Sequence, residues 1–231
     1  MKPLIIIPAR GGSKGIPYKN IKPFNGKPLI NYTIDVARQI STDEDICVST
    51  DDQKIIKVVE DYGLKVPFVR PLELASDTAG TYEVLLHAID YYETHGKQYD
   101  CVLLLQNTSP FRTVEHIRGA MALYRPEIDM VVSVNELASS PYYNCFEVGE
   151  DGFLKKTLDS SMITRRQDAP KTYEYNGAIY IFNLKRLKET HYGNFTKRVM
   201  YEMDKLHSVD LDTMMDWKFA EFLVRDGEIK F

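Results

Sequence analysis

The stretch IIIPARGGSKGIPYKN, from Ile5 to Asn20, joins a short apolar run to a loop that is rich in glycines and cations. The apolar run has the length and composition of a buried strand, and the loop follows it at once. Glycines permit positive φ angles and a close approach of the backbone to a ligand. Cations at such spacing repel one another unless an anion lies among them. The stretch therefore predicts a buried strand that ends in an anion-binding loop.

Beyond this loop, apolar runs of strand length alternate with segments of helical periodicity. The predicted strands read PLIIIPA, DICVST, CVLLLQ, DMVVSVN, NGAIYIFN and VMYEMD, and predicted helices lie between most of them and after the last. Such alternation predicts one α/β domain over residues 1–231, a Rossmann-like three-layer sandwich with a mainly parallel sheet. Residues 136–171 interrupt the pattern because they are polar, aromatic and rich in turn residues, with a hairpin predicted at EDG. We interpret them as an insertion into the domain.

The composition of the chain excludes several classes of protein. A formal net charge of -4 offers no general attraction for nucleic acid, and no apolar run approaches the length of a membrane span. The three cysteines are widely spaced and predict neither a disulfide framework nor a zinc site. The five histidines are scattered, so no metal cluster is expected, and His87, His116 and His207 are interpreted as packing or surface residues. These observations indicate a cytoplasmic, reduced protein.

The position of the glycine-rich loop favours a phosphate ligand. Ligands of open α/β sheets bind at the carboxyl ends of the strands, and the loop after the first strand is a frequent phosphate site. The loop matches neither the Walker A pattern nor the dinucleotide pattern G-x-G-x-x-G, and it carries more cationic side chains than either. The alternative is a solvated basic turn that the glycines merely shape.

A second chemical signal lies near the far end of the chain, in the sequence DLDT. Side chains alternate along an extended segment, so Asp210 and Asp212 are expected on one side and Leu211 on the other. Two neighbouring carboxylates suit Mg²⁺, which commonly binds one or two carboxylates together with substrate phosphates. The alternative is a helix start in which Thr213 and Asp216 form the cap, and the two interpretations are compatible.

The sequence ARGGSKGIPYKN resembles the amino-terminal signature of the acylneuraminate cytidylyltransferases, also called CMP-sialic acid synthetases. The resemblance extends over nearly the whole chain, with separate motifs in the expected order. It implies that the first loop holds CTP, with Lys19 nearest the reacting α-phosphate and Arg10 and Lys14 nearer the leaving pyrophosphate. The residues implied to bind the nucleotide from this loop are Arg10, Ser13, Lys14, Lys19 and Asn20.

Two further segments resemble parts of the same family near the nucleotide. The segment RPLELASDTAG implies that Arg70 and Ser76 lie beside CTP, although Ser76 could equally make local turn bonds. In VSTDD, Asp51 either approaches the substrate or caps the following helix.

The segment LLLQNTSPFR resembles the family sequence L-L-Q-P-T-S-P-L-R at the end of a predicted buried strand. Gln106 would then bond to the ribose or to the acceptor sugar, and Arg112 would pair with a carboxylate or phosphate. Two residues depart from the family: Asn107 stands in place of proline, and Phe111 in place of leucine. The change at Asn107 adds polar groups beside the acceptor.

The remaining motifs imply an acceptor pocket and a metal. TRRQDAPKTYEYNGAIY resembles an acceptor-binding region of the family, which makes Arg166, Asn176 and Tyr180 candidates for holding the sugar, with Glu174 as the largest departure. DLDT resembles the D-I-D-T segment that carries Mg²⁺ in the family. The insertion at residues 136–171 is implied to make homodimer contacts and to form part of the acceptor pocket.

The resemblance implies that the enzyme activates a nonulosonic acid with CTP and releases pyrophosphate, with CMP-N-acetylneuraminate as the first candidate product. Lys19, Arg10, Asp210 and Asp212 would be the catalytic residues. Alternatives within the class are legionaminic acid, pseudaminic acid or Kdo as the acceptor, or GTP in place of CTP. An alternative of another class is a non-catalytic regulator that binds a sugar nucleotide.

Overall fold

The computed structural model describes residues 1–12, 15–76, 80–158 and 163–231. These residues form an α/β sandwich around a six-stranded sheet. The strands are β1 (Pro3–Pro8), β2 (Pro23–Phe24), β3 (Lys27–Pro28), β4 (Ile46–Ser49), β5 (Cys101–Leu105), β6 (Met130–Glu136), β7 (Phe146–Val148), β8 (Leu154–Lys156), β9 (Tyr173–Asn183) and β10 (Arg198–Glu202). The order of strands in the main sheet is β10-β6-β9-β5-β1-β4. The helices are α1 (Leu29–Arg38), α2 (Gln53–Asp61), α3 (Thr81–Thr94), α4 (Val114–Ala122), α5 (Leu184–Glu189) and α6 (Met214–Arg225).

Helices cover both faces of the main sheet, which confirms the predicted α/β architecture. Alternate residues of β1 face opposite layers, because side chains alternate along a strand. Ile5 and Ile7 pack with α1, α2 and α4, whereas Leu4 and Ile6 pack with α3 and α5. A third apolar cluster joins α6 to Phe24, Phe111 and Leu211. None of the helices in the described part of the chain is both long and apolar enough to cross a bilayer.

The sheet is mainly parallel, as predicted, with β9 as the exception. Strand β1 pairs in parallel with β4 and β5, and β10 pairs in parallel with β6. Strand β9 runs antiparallel between β5 and β6, and it begins at Tyr173 rather than at the predicted Asn176. The short helix α5 follows β9 directly and was not predicted from the sequence.

Residues 136–171 leave the sheet at the end of β6 and return at the start of β9. The antiparallel pairing of β6 with β9 continues to Glu136 and Tyr173, so the two ends of the segment lie side by side. Beyond that base, β7 and β8 form an antiparallel hairpin around the predicted EDG turn, with most of both strands exposed. Glu174, which departs from the family sequence, accepts a hydrogen bond from Asn135 Nδ2 at 2.9 Å. Glu174 therefore belongs to the exposed base of the insertion.

Candidate active site

A cleft of about 340 Å³ opens beside the carboxyl ends of β1 and β5. Its size falls within the range of small-molecule sites, and its position is the one at which open α/β sheets bind ligands. The lining residues are Pro8, Arg10, Lys19, Asn20, Arg70, Leu74, Ser76, Gly80, Thr81, Val84, Gln106, Asn107 and Thr108. Six of the eight residues that the sequence placed near the nucleotide thus line one cleft. The other two, Ser13 and Lys14, lie outside the described residues.

Lys19 joins this cleft to the DLDT segment from the other end of the chain. Its side chain is nearly buried, and its Nζ donates to the Leu211 carbonyl oxygen at 2.6 Å and to Asp212 Oδ1 at 3.1 Å. Gly15 also touches this segment, since a Cβ at Gly15 would collide with the carbonyl oxygen of Asp212. The first loop and the paired carboxylates are therefore adjacent, as an anion-binding loop and a metal pair acting on one triphosphate would require.

The two carboxylates differ in their surroundings although they alternate as predicted. Leu211 is fully buried between them, while the Asp212 side chain is 72% exposed. Asp210 Oδ1 is buried without a hydrogen-bond partner. Burial raises the pKa of Asp210, and the charge of Asp212 adds to this, whereas a hydrogen bond with Thr108 and the charge of Lys19 act in the opposite direction.

The paired carboxylates fit a divalent cation. A buried carboxylate oxygen without a partner needs a proton or a cation beside it, and carboxylate oxygens are ligands that Mg²⁺ prefers. The alternative role of the segment as a helix start coexists with this one. Thr213 and Asp216 form a reciprocal capping box at the start of α6, with Thr213 N donating to Asp216 Oδ2 at 2.6 Å. The carboxylates of Asp210 and Asp212 take no part in that box.

Asn107, a departure from the family sequence, is a positioning residue of the cleft that the motifs alone did not identify. Its Nδ2 donates to the Pro8 carbonyl at 3.2 Å and to Asn20 Oδ1 at 3.3 Å. Asn20 Nδ2 in turn donates to the Arg10 carbonyl at 3.0 Å. The chain of bonds fixes the loop after β1 against the loop after β5. Its signal in the sequence was a polar residue immediately after Gln106, where the strand ends.

Arg70 and its neighbours have structural partners at the edge of the cleft. The Arg70 guanidinium is buried and donates to the Ser49 hydroxyl and carbonyl and to the Leu74 carbonyl, and burial lowers its pKa. Ser76 lines the cleft and also donates to the Glu73 carbonyl at 3.3 Å, so both interpretations of that residue hold geometrically.

The two aspartates of VSTDD have separate contacts. The residue that caps α2 is Asp52, which accepts from the Lys54 backbone N at 2.7 Å. Asp51 Oδ1 instead accepts from the Gly11 backbone N at 3.3 Å. The alternative in which Asp51 caps the following helix is therefore wrong by one residue, because Asp52 is the cap. Asp51 instead helps to hold the first loop.

The residues expected to hold the acceptor sugar are not gathered in this cleft. Asn176 is buried, and its Oδ1 accepts from Ser133 Oγ at 2.6 Å and from the Ala178 backbone N at 3.2 Å. Arg112 is also buried, with one Nη donating to the Ala178 carbonyl at 2.9 Å and the other to Thr33 Oγ1 at 2.6 Å. Both side chains are thus occupied by contacts within the domain.

The other two expected acceptor residues lie in different environments. Tyr180 stacks on Phe182 in the α3–α5 layer, and burial raises the pKa of its hydroxyl to about 12. Arg166 is exposed within the insertion. Gly177, in the same strand as Tyr180, has a φ of +77°, which is accessible chiefly to glycine. A Cβ added there would lie 3.3 Å from Ser109 Oγ and in ordinary contact with Gln106 and Asp210.

The charges of the cleft complement an anion with several phosphates. Arg10 and Lys19 line it, and a buried Arg112 lies behind Asp210, where burial lowers the Arg112 pKa to about 9 and the charge of Asp210 opposes that shift. Such a pKa leaves the guanidinium protonated at neutral pH. Cations that face a substrate phosphate and carboxylates that can bind a metal are the elements by which proteins stabilise phosphoryl-type transfer.

An α/β sandwich with a cationic cleft and paired carboxylates at the carboxyl ends of its strands defines the class of the nucleotidyltransferases. Within that class, the chain belongs to the family described as Cytidylyltransferase, whose family model matches residues 4–225.

Relatives of known name cover nearly all of the chain. The chain is 37% identical over 227 residues to a CMP-N,N'-diacetyllegionaminic acid synthase of Legionella pneumophila, covering 97% of each protein. It is 36% identical to an N-acylneuraminate cytidylyltransferase of Streptococcus agalactiae, with all of this chain and 56% of that protein covered. It is 32% identical to a pseudaminic acid cytidylyltransferase of Campylobacter jejuni, with 97% of each protein covered.

Solved structures of low sequence identity share the fold. The structure of a CMP:2-keto-3-deoxy-manno-octonic acid synthetase complexed with CTP matches with a TM-score of 0.71 at 17% identity, covering 98% of this chain and 99% of that one. A 4-diphosphocytidyl-2C-methyl-D-erythritol synthase from Anaerococcus prevotii matches with a TM-score of 0.64 at 16% identity, covering 96% of this chain and 99% of that one. At such identities the matches concern the architecture alone.

Proposed function

We propose that this cytidylyltransferase activates a nonulosonic acid with CTP. The C2 hydroxyl of the sugar acid attacks the α-phosphorus, a new O–P bond forms, and the bond between the α-phosphorus and the bridging oxygen breaks to release pyrophosphate. The hydroxyl proton is released to solvent or to a base, and no side chain is assigned to that role. The observation that carries the proposal is the contact of Lys19 with Leu211 and Asp212, which places the cationic cleft against the carboxylate pair.

The cationic residues of the cleft bind and orient the triphosphate. Lys19 lies at the junction with DLDT and is the residue we assign to the α-phosphate, where negative charge redistributes during the transfer. Arg10, farther along the same loop, is assigned to the β- and γ-phosphates together with Ser13 and Lys14. Asn20 and Asn107 hold the loop in place, while Gln106 faces both the cleft and Gly177, at the boundary between nucleotide and acceptor.

The proposed cofactor is Mg²⁺, held by Asp210 and Asp212. When bound there, Mg²⁺ neutralises phosphate charge and aligns the leaving group. Asp210 contributes a carboxylate whose unpartnered oxygen is already oriented within the fold, and Asp212 contributes an exposed one. Binding of nucleotide and metal must compete with the Lys19–Asp212 ion pair, so Lys19 exchanges that partner for a phosphate oxygen.

The acceptor we propose is a nine-carbon 2-keto acid of the sialic type, with N-acetylneuraminate first and N,N'-diacetyllegionaminate second. Support for the class comes from relatives named for neuraminate, legionaminate and pseudaminate, all of which align over nearly the whole of this chain. Legionaminate is retained because the relative named for it is among the most similar, at 37% identity over full length.

The proposed assembly is a homodimer in the cytoplasm, where CTP is available. The β7–β8 hairpin exposes Val148 at 71%, Phe153 at 73% and Leu154 at 68% of their surfaces. An exposed apolar hairpin is a poor free surface, and an isolated two-stranded ribbon is only marginally stable. Because Arg166 lies in the same insertion and outside the cleft, a second copy that covers the hairpin is also the source we propose for the missing acceptor contacts.

The test of the reaction is pyrophosphate release from CTP, Mg²⁺ and one nonulosonic acid at a time. N-acetylneuraminate, N,N'-diacetyllegionaminate, pseudaminate and Kdo form the panel, with GTP replacing CTP in a parallel series. Turnover with CTP and a nine-carbon acid supports the proposal, and the ratio of kcat/KM values ranks the acceptors. Binding of CTP without turnover on any acid would favour the non-catalytic regulator instead. Lys19→Met is the matched loss-of-function control, because methionine retains most of the length of the side chain without its charge.

A further inference from the structure

We propose that His116, Asp204 and His207 form a second metal site, suited to Zn²⁺ and similar borderline cations, that joins the start of α4 to the connection between β10 and α6. Nothing in the amino-acid sequence groups these residues, and its interpretation treats both histidines as packing or surface residues. In the fold, their ligand atoms all lie within 4.8 Å of one another. His207 Nδ1 lies 2.7 Å from Asp204 Oδ2, and the two imidazole rings are 4.8 Å apart between centroids.

The donor set distinguishes this site from the carboxylate pair at DLDT. Two imidazole nitrogens and one carboxylate oxygen are a ligand set that suits Zn²⁺, Co²⁺ or Ni²⁺, whereas two carboxylates alone suit Mg²⁺. Zinc binds nitrogen at about 2.0–2.1 Å, so tetrahedral ligand atoms lie roughly 3.4 Å apart. The present spread of up to 4.8 Å therefore closes with small side-chain rotations.

The hydrogen bonds of the two histidines determine which nitrogens are available. Without a metal, His207 Nδ1–H donates to the Asp204 carboxylate. An ion that enters between them takes the place of that proton, so that the Nδ1 lone pair and a carboxylate oxygen both become ligands and the remaining ring proton lies on Nε2. His116 Nδ1 accepts from the Thr113 backbone N at 3.1 Å, which completes a capping box with Thr113 Oγ1 and the His116 backbone N. Metal binding by His116 removes only the first of these two bonds. The bond to Thr113 Oγ1 survives, so the helix start remains capped.

The cluster is accessible to an ion. The Asp204 side chain is 57% exposed and that of His207 is 27% exposed, so a cation can enter from solvent and retain a water as its fourth ligand. The His116 ring is half-buried beneath them.

A metal at this site would strengthen the connection that carries Asp210 and Asp212. The turn after β10 is already tied down where Ser208 Oγ donates to the Asp204 carbonyl at 2.6 Å and accepts from Asn176 Nδ2 at 2.9 Å. Three residues after Ser208, the Leu211 backbone N donates to the Thr108 carbonyl at 2.8 Å. A metal that links α4 to this turn would therefore stabilise the segment that carries Asp210 and Asp212, which is already bonded to Thr108.

The experiment titrates the metal-free, full-length protein with Co²⁺ and Zn²⁺ in the absence of nucleotide. The expected results are one equivalent of Co²⁺ with the intense visible absorption of a four-coordinate ion, which six-coordinate Co²⁺ at the DLDT carboxylates lacks, and a rise in Tm with Zn²⁺. His207→Ala and His116→Gln should each weaken binding by at least about tenfold. Glutamine at position 116 preserves the capping box, because Thr-x-x-Gln is one of its standard sequences, so a loss of binding there is not a loss of fold.

Two matched controls separate this site from other histidines and from the DLDT carboxylates. His95→Ala removes an exposed histidine that stacks on Tyr91, and Asp212→Ala removes a ligand of the proposed magnesium site. Both variants should bind Co²⁺ like the unmodified protein. Unchanged binding in His207→Ala and His116→Gln, loss of binding in Asp212→Ala, or the absence of saturable binding would each overturn the proposal.

Discussion

The nucleotide cleft and the segments expected to hold the acceptor use their motif residues in different ways. In the cleft, Arg10, Lys19 and Gln106 line an open space and retain polar groups that a substrate can reach. On the acceptor side, Asn176 and Arg112 are buried and bonded to the backbone around Ala178. A polar residue within a recurring motif can therefore mark an architectural requirement as readily as a ligand contact. Burial and hydrogen-bond partners, rather than residue type, separate the two.

The largest effect is expected from Asp212→Ala, which tests the cleft side of the comparison. Loss of a proposed Mg²⁺ ligand should reduce kcat by about 10³-fold or more. The fold should persist because the α6 cap depends on Thr213 and Asp216. Pyrophosphate release and the Tm measure the two effects, and Asp226→Ala, at the other end of α6, is the matched acidic control. Turnover near the level of the unmodified protein would show that Asp212 is not a ligand of the catalytic Mg²⁺.

Arg112→Met tests the opposite side, where the comparison predicts a structural role. The substitution leaves the Ala178 carbonyl and Thr33 hydroxyl without their buried donor, which should lower the free energy of unfolding by about 2–4 kcal/mol. The KM for the acceptor should change less than about threefold in protein that remains folded. Chemical denaturation and steady-state kinetics measure these quantities, with Arg112→Lys as the charge-preserving control. A large rise in the acceptor KM at unchanged stability would show instead that Arg112 contacts the acceptor sugar.

The hairpin substitutions Phe153→Asp and Leu154→Asp test whether the acceptor side is completed by a second copy. We expect the assembly to fall from twice to once the chain mass of 26.6 kDa, as measured by light scattering after gel filtration. The acceptor KM should rise about tenfold while CTP affinity stays the same, since the nucleotide cleft lies within one chain. Met215→Asp places the same charge at an apolar residue of α6 that is 76% exposed, and it should leave the assembly intact. A monomeric unmodified protein would contradict the dimer.

The smallest effect on stability is expected from Asp210→Asn in the metal-free protein, where the substitution should stabilise the fold although it should abolish the turnover measured with Mg²⁺. Because folding raises the pKa of Asp210, the stabilising contribution of its proton is present below the unfolded pKa and is lost as the pH rises through the folded pKa. The ionised carboxylate therefore destabilises the metal-free protein at neutral pH. Asparagine should raise the free energy of unfolding by roughly 0.5–1 kcal/mol while abolishing turnover.

Thermal unfolding at several pH values measures this difference between Asp210→Asn and the unmodified protein. The gap in Tm should narrow as the pH falls through the folded pKa of the carboxyl group towards its unfolded pKa. Added Mg²⁺ should raise the Tm of the unmodified protein and leave that of the variant unchanged. A variant that is less stable at pH 7 would show that the Asp210 carboxylate is already compensated within the fold.

Much of the fold followed from local patterns in the sequence. Apolar runs predicted all six strands of the main sheet, and the alternation with helical segments predicted its mainly parallel order. The antiparallel direction of β9 could not be predicted, because the chain reverses through an insertion whose path depends on contacts distant in sequence. The short α5 carries too few residues to produce a periodic signal.

Local sequence patterns suffice to predict the strand that ends in a cationic loop and the alternation that separates Asp210 and Asp212 from Leu211, since both depend on neighbouring residues. The folded chain alone shows that Lys19 meets Asp212, that Arg112 and Asn176 are buried against the backbone around Ala178, and that His116 lies beside His207. These outcomes depend on which segments the sheet brings together, and on whether burial leaves a polar group free or requires a partner for it. Local spacing carries no information on either point.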